Sequence, residues 1–410
     1  MQKSISSADK IAALCGMVWF IFIIDACFTW FIESSFIRNF IGFLFICVAT
    51  FFLQGHHGLT FTKERRILCL SLLVLTFFMV LTKTSVFLAF TYLPLICVVF
   101  WRSSALSQMY CYFRKFVLFY SVLSIFVELL VVTRIWVSLP HIILPPQDYI
   151  QEHGGIVNYF YGLFCIPATD TSLSFYRACG PLREGGHWIF FIGFVYFTEK
   201  TLKNKRNIWL IICGILTLSP NFILFFLLTE LYCAVKQKKV FKPLLSIVGV
   251  IGSIVILFLF APQSIKNDII GIFYERLLEK SLQSVEDDGW MALLDGRASE
   301  LSFMAYDSFL HSGLKTRLFG ENPFDAEFIM SDFRYLLIYS GYVGTSLIGW
   351  CTLVFSFARS RNMFGVCAFV FALAIFMQRA WMYVDVYIWL MIFLIINQKA
   401  LDSYKQGLKK

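Results

Sequence analysis

The amino-acid sequence predicts an all-α polytopic membrane protein of about twelve transmembrane helices, with two long loops on the outer face. Three observations predict it. The chain is 59% hydrophobic with a mean hydropathy of +0.73, and only 15% of its residues are charged, where a soluble domain needs roughly a quarter to cover its surface. Apolar runs of membrane-spanning length recur from end to end, so residues 1–410 read as one integral membrane domain rather than several soluble ones. The basic residues cluster in every second segment between the runs, which puts those clusters on one side of the membrane.

The first apolar run follows Lys3 and Lys10, as a signal peptide would. It lacks a small-x-small cleavage site and reads as an uncleaved first helix. The spans are about 11–32, 36–54, 67–82, 85–101, 116–137, 188–199, 207–218, 221–235, 243–262, 335–357, 363–378 and 382–396. With the N-terminus inside, the inner segments collect Lys63, Arg65 and Arg66, then Arg102, Arg114 and Lys115, then Lys200, Lys203, Lys205 and Arg206. Lys236 to Lys242, Arg359 with Arg361, and the C-terminal Lys399 to Lys410 complete the series. Every inner segment is basic and the short outer turns carry almost no charge, which places both termini in the cytoplasm. The net charge of +9 is then topology and contact with anionic lipid, not a nucleic-acid signal.

Two outer segments are long, 138–187 and 263–334. The second contains candidate helices at 270–285 and 298–311, the latter with Leu301, Met304, Ala305 and Phe309 at helical spacing, as in a helix lying on the membrane face or capping a cavity. Asp295-Gly296 is its candidate N-cap and puts Arg297 in the first turn, where a cation opposes the helix dipole. Runs 188–199, 207–218 and 221–235 are short of the roughly 20 residues needed to cross a hydrocarbon core. Ser219-Pro220 separates the last two. Broken spans beside a charged loop suggest a polar pocket sunk into the outer leaflet. The alternative is that flanking polar residues complete ordinary helices.

Other chemistry is thinly represented. The twelve Cys are scattered with no Cys-x-x-Cys pair and read mostly as small apolar packers. Cys165 and Cys179 share an outer loop, but pairing them needs geometry the sequence does not contain. The six His show no ligand spacing, so no metal site is expected. No phosphate-binding Gly loop with Lys-Ser/Thr and no nucleophile elbow occur, so ATP use and acyl transfer have no support. Asp25, Glu128, Arg134, Glu230 and Arg379 are ionisable residues at membrane depth, functional candidates because their burial is expensive. Asp25, Arg134 and Arg379 lie near span ends, within reach of the interface. Glu128 is the one expected to face the bundle interior.

The most informative stretch is Ser174 to Trp188, where Arg177, Arg183 and Glu184 interrupt the apolar runs. Its Arg177-x-x-Gly180-x-x-x-Glu184 pattern ahead of an apolar helix resembles the Arg-x-x-Gly-x-x-x-Glu-Pro signature of bacterial O-antigen polymerases (Wzy) and, more distantly, of O-antigen ligases. Gly185 stands where that family often has Pro. Leu216-Thr217-Leu218-Ser219, Gly296-Arg297, Leu318-Phe319-Gly320 and Ser331-Asp332-Phe333-Arg334-Tyr335 follow in the same order, ahead of Gly341 and Gly344. The resemblance covers roughly residues 160–349; the first five spans match only in hydropathy. Ligases are expected to carry a His where this chain has Asp332 or Arg334, which favours a polymerase.

The resemblance implies a membrane glycosyltransferase in the bacterial inner membrane, without cofactor. It would join oligosaccharide repeat units linked to undecaprenyl pyrophosphate on the periplasmic face. Its partners would be those lipid-linked sugars, the surrounding lipids, a polysaccharide chain-length regulator and a flippase. Planar, permanently charged guanidinium groups suit a pyrophosphate leaving group. Arg177 is accordingly assigned to it, with Arg297 facing Arg177 across one cavity. Arg183, Arg276, Arg317 and Arg334 are supporting cations, each with the alternative of a solvated loop charge, and Gly180 is the backbone residue of the motif. The proton acceptor is Glu184 or Asp332. Against the first stands a salt bridge to Arg183 or Arg177, against the second a capping role for the helix near Phe333. A ligase, or a transporter of lipid-linked oligosaccharide, are the alternatives; a transporter should spread its charges along the spans and show repeat symmetry.

Overall fold

Local capping starts the first helix. Ser6 Oγ accepts from the Asp9 N–H at 3.2 Å and the Asp9 carboxylate accepts from the Ser6 N–H at 3.3 Å, a reciprocal box that satisfies two otherwise orphaned donors. The computed structural model describes residues 6–32, 34–56, 58–83, 87–144, 155–168, 175–182, 185–203, 206–237, 300–321, 333–354 and 370–376, with a few isolated positions at 248–266 and 389. These residues are mostly helical. They divide into two compact units, Met1–Phe119 with His311–Pro323 and Asp332–Lys410, and Tyr120–Leu310 with Phe324–Ser331.

In the first unit α1 is Ser7–Ile23, α2 Ser35–Gly55, α3 Lys63–Lys83 and α4 Phe87–Val99. The run 11–32 is not one helix. The backbone turns left-handed at Asp25 (φ 53°) and continues as a 3-10 turn, Cys27–Thr29. Asp25 is held there by Arg38 of α2 at 3.1 Å, so this acid is a turn residue paired across two helices. Arg102 pairs with Asp9 and with Ser6 Oγ, tying the start of α1 to the start of α5, Ser103–Val132. That helix has 30 residues and enters both units. Arg114 and Lys115, read as loop residues, lie inside it.

Among the described residues three helices are long and apolar enough to cross a membrane: Phe36–Gly55, Lys63–Thr82 and Ser103–Val132. On α5 the exposed residues Phe119, Val122, Phe126 and Leu129 recur every three or four positions, while Val117, Ser121, Ser124, Glu128 and Val131 are buried on the opposite side. One apolar face is thus open and the other inward, the arrangement a lipid-exposed helix requires.

The second unit contains a feature the all-α expectation did not include. Within the first long segment between apolar runs, β1 (Ile142–Leu144), β2 (Val157–Phe160) and β3 (Cys165–Ala168) form an antiparallel sheet in that order. Strands of three or four residues are too short to print a period-two pattern, and Pro167 argues against a strand on sequence grounds. The sheet and the Trp136 turn pack on the end of α5 through Val127, Val131, Phe164, Ile166 and Ala168. Beyond it come α6 (Gly185–Lys203), α7 (Ile208–Leu216) and α8 (Pro220–Gln237). Flanking residues complete α6 to 19 residues and α8 to 18, whereas α7 has only nine. The short-span expectation therefore holds at α7 alone.

The second long segment between apolar runs supplies α9 (Glu300–His311), the helix expected at 298–311, on which Phe309 is buried and Met304 exposed. The helix expected at 270–285 and the Asp295-Gly296 cap lie outside the described residues. So do nearly all of the runs 243–262 and 382–396, and most of 363–378. In the first unit α10 (Leu314–Phe319) meets α11 (Phe333–Gly349), which runs on into a π-helical turn, Trp350–Val354. At Gly341 (φ 62°, ψ −176°) the α11 backbone leaves the helix. The reason is the α10 end: the Glu321 N–H donates to the Ile338 carbonyl at 2.7 Å. A Cβ on Gly341 would run into the Leu318 carbonyl, and one on Gly320 into the Tyr339 carbonyl. These dihedrals are open essentially to glycine alone. Gly341→Ala is expected to cost about 3 kcal/mol, read as a lowered unfolding midpoint of the solubilised protein. Gly349→Ala, with nothing within 4 Å of the added methyl, should be neutral or better.

Candidate functional site

Arg177 and Gly180 of the motif sit in an irregular segment, residues 175–182, between the sheet and α6 in the chain. Three consecutive residues are fastened in turn. The Tyr176 N–H donates to Glu128 Oε2 of α5 at 3.0 Å. Arg177 Nε and Nη2 both donate to the Thr217 carbonyl at 3.2 Å. The Ala178 N–H donates to the Leu216 carbonyl at 3.0 Å. Both carbonyls lie at the C-terminal end of α7, where unsatisfied acceptors and the helix dipole favour a cation.

The far side of that anchor is a tight turn. Thr217 Oγ1 donates to the Gly214 carbonyl at 2.7 Å, Leu218 adopts φ 46°, and Pro220 opens α8. A left-handed leucine is costly, and it persists here between two helices that meet closely. Gly180 has φ 60° and lies against the Trp188 indole with no room for a Cβ. A Cβ on Gly185 would come 2.8 Å from the Ala178 carbonyl, a local reason for glycine at that position.

Tyr176 points into the apolar cluster on α5, its hydroxyl 2.8 Å from Cys179 Sγ. Burial pushes its phenol well above the ordinary value, reinforced by Cys179 and Cys165. Cys165 and Cys179 are both buried and are not joined in a disulfide. Burial likewise raises the Tyr161 phenol, to about 12; its hydroxyl donates to the Trp136 carbonyl at 2.9 Å.

The structure thus brings Arg177 and Gly180 together with the Leu216–Ser219 turn, two motifs that sequence reasoning named separately and did not connect. Arg317 and Arg334 belong to the other unit. Arg334 is buried in the first turn of α11. Arg317 lies in the last turn of α10, and its Nε is buried without a hydrogen-bond partner among the described residues. Glu184, Arg183, Arg276, Arg297 and Asp332 lie outside the described residues, and with them the expected pairing of Arg177 with Arg297.

The remaining membrane-depth charges separate by partner. Arg134 is exposed at a left-handed turn after α5, and Arg379 is outside the described residues. Glu230, not singled out as interior, is fully buried on α8. It accepts from Tyr196 and, through its two oxygens, from Nε and Nη2 along one edge of Arg206. The adjacent Arg206 was legible as a basic loop residue; its inward turn was not. Glu128 is 7% exposed, as expected, and its Oε1 has no hydrogen-bond partner among the described residues.

No family model matches the chain, and no curated protein or solved structure gives a match either.

Proposed function

We propose that the chain is a twelve-helix membrane glycosyltransferase of the O-antigen polymerase type, with both termini cytoplasmic and two long periplasmic loops. It joins undecaprenyl-pyrophosphate-linked repeat units on the periplasmic face of the bacterial inner membrane. The observation that carries this reading is the anchoring of Arg177 on the Thr217 carbonyl. It builds into one unit the two stretches, Arg177-x-x-Gly180 and Leu216–Ser219, whose order in the chain supplied the resemblance.

The chemistry asks little beyond what such a segment offers. An acceptor sugar hydroxyl attacks the anomeric carbon of the donor, the bond from that carbon to the phosphate oxygen breaks, and undecaprenyl pyrophosphate departs. Negative charge grows on the departing pyrophosphate, and a preorganised guanidinium stabilises it more than it stabilises the bound donor. A guanidinium carries five N–H donors in a planar fork, enough to serve a carbonyl and phosphate oxygens together. The hydroxyl proton goes to a carboxylate, Glu184 or Asp332.

The test uses the purified full chain in proteoliposomes with lipid-linked repeat units. A ladder of longer products with stoichiometric release of undecaprenyl pyrophosphate is expected. A ligase would need a different acceptor lipid, and a transporter would move the units without forming a bond. Absence of both longer product and released lipid pyrophosphate with the wild-type protein would sink the proposal. In single turnover, Glu184→Gln or Asp332→Asn should slow the chemical step by about 10²-fold or more with donor binding intact; if neither does, the base is another group.

A further inference from the structure

A buried carboxyl on an apolar helix is expensive, and Glu128 is only half satisfied. Its Oε2 accepts the Tyr176 N–H and its Oε1 has no partner among the described residues. Stability alone does not explain such a group, because a neutral side chain could accept the same N–H without the cost of burying a carboxyl. Its position gives another reason. Glu128 is the α5 end of the set of ties on residues 176–178, and the α7 end is Thr217 and Leu216. The Tyr176 ring, seated in the cluster with Val127, Val131 and Ile166, sets the depth of the segment. The Glu128 bond sets its rotation, one residue before the guanidinium.

We infer that Glu128 is a positioning residue for Arg177: it holds the peptide before Arg177 against α5 so that the guanidinium reaches both the Thr217 carbonyl and the bound anion. The inference rests on the functional reading above and extends it to a residue outside the motif. Release of the Tyr176 N–H would let the segment swing by an ångström or so, and misplacement on that scale costs about a hundredfold in rate.

Three variants of the full chain separate reach from the carboxyl group itself. Glu128→Gln keeps a carbonyl acceptor at the same reach, Glu128→Asp keeps the carboxyl group but falls short of Tyr176, and Glu128→Leu removes the acceptor. Two readouts are taken on correctly folded protein: kcat and KM for the lipid-linked unit, and amide hydrogen exchange across residues 175–182. Glu128→Asp and Glu128→Leu are expected to lower kcat by about a hundredfold, with KM changed by less than about threefold and exchange in that segment raised about tenfold or more. Glu128→Gln should stay within about fivefold of wild type in kcat. Should Glu128→Leu not fold, Glu128→Asp and Glu128→Gln carry the same comparison.

Wild-type kcat and exchange in Glu128→Asp would overturn the inference, as would a lower yield with unchanged kcat per folded molecule. Equal loss in Glu128→Gln and Glu128→Asp with undisturbed exchange would overturn it in favour of proton transfer. If the wild type makes no polymer, the functional reading fails, and the exchange measurement still decides whether Glu128 holds the segment.

Discussion

Arg177→Lys is expected to cut polymer formation at least tenfold, and Arg177→Ala about a hundredfold or more, with both proteins inserted and folded. The geometry explains why the conservative change should hurt. Nε and Nη2 converge on the single Thr217 carbonyl from one edge of the planar group. Lysine offers one compact ammonium that can satisfy the carbonyl or an anion but has no second edge in fixed relation to the first. Removing the side chain leaves the α7 end short of a donor, a stability cost of about 1 kcal/mol that α7 can meet with water. The rate effect should therefore far exceed the stability effect. Polymer length and yield at matched expression, set beside the unfolding midpoint, are the measurements. Normal polymer from Arg177→Ala removes this residue from the site.

The second large effect concerns Glu230. Its carboxylate has no exposure. It accepts from the Tyr196 hydroxyl at 2.9 Å, from Arg206 Nη2 at 2.9 Å and from Arg206 Nε at 3.2 Å, with Lys200 Nζ at 4.0 Å. The cluster staples α6, the loop before α7, and α8. Arg206 is 39% exposed, and its contact with Glu230 raises its pKa while partial burial works against the rise. The pair is therefore asymmetric. Arg206→Ala takes the closest cation from a fully buried carboxylate, leaving only Lys200 Nζ at 4.0 Å, and is expected to cost about 3 kcal/mol. Glu230→Gln strands only an arginine that water can reach, and should cost about 1 kcal/mol. The double variant should recover much of the first loss, because the harm lies in the uncompensated buried charge. Equilibrium unfolding of the three solubilised proteins checks this; a silent Arg206→Ala, or a double variant no better than it, refutes the assignment.

Where a single residue type was decisive, the sequence was legible. A carboxylate in the middle of an apolar run must face inward, and Glu128 does. Arg177 and Gly180 could be named as a unit because their spacing is local. What they touch could not: Thr217 lies forty residues away and contributes a carbonyl, an atom every residue possesses and no composition reveals. Glu230 was named as a candidate, but its pairing escaped for a related reason, since its partner Arg206 served equally well as a topological charge. Gly341 was visible only as part of a glycine-rich helix. Its break comes from Leu318 and Gly320 arriving against it, an event no propensity encodes.

By itself the sequence determined the membrane class, the inward face of α5 and the concentration of candidate chemistry around Arg177. Transfer from water to an apolar medium is summed residue by residue and needs no knowledge of neighbours. Only the tertiary structure decided how residues 176–178 are suspended between α5 and α7, that short strands fold onto the end of α5, and that α11 breaks at Gly341. Each of these depends on backbone donors and acceptors finding partners far along the chain, and buried polar groups must be paired wherever the fold brings a partner.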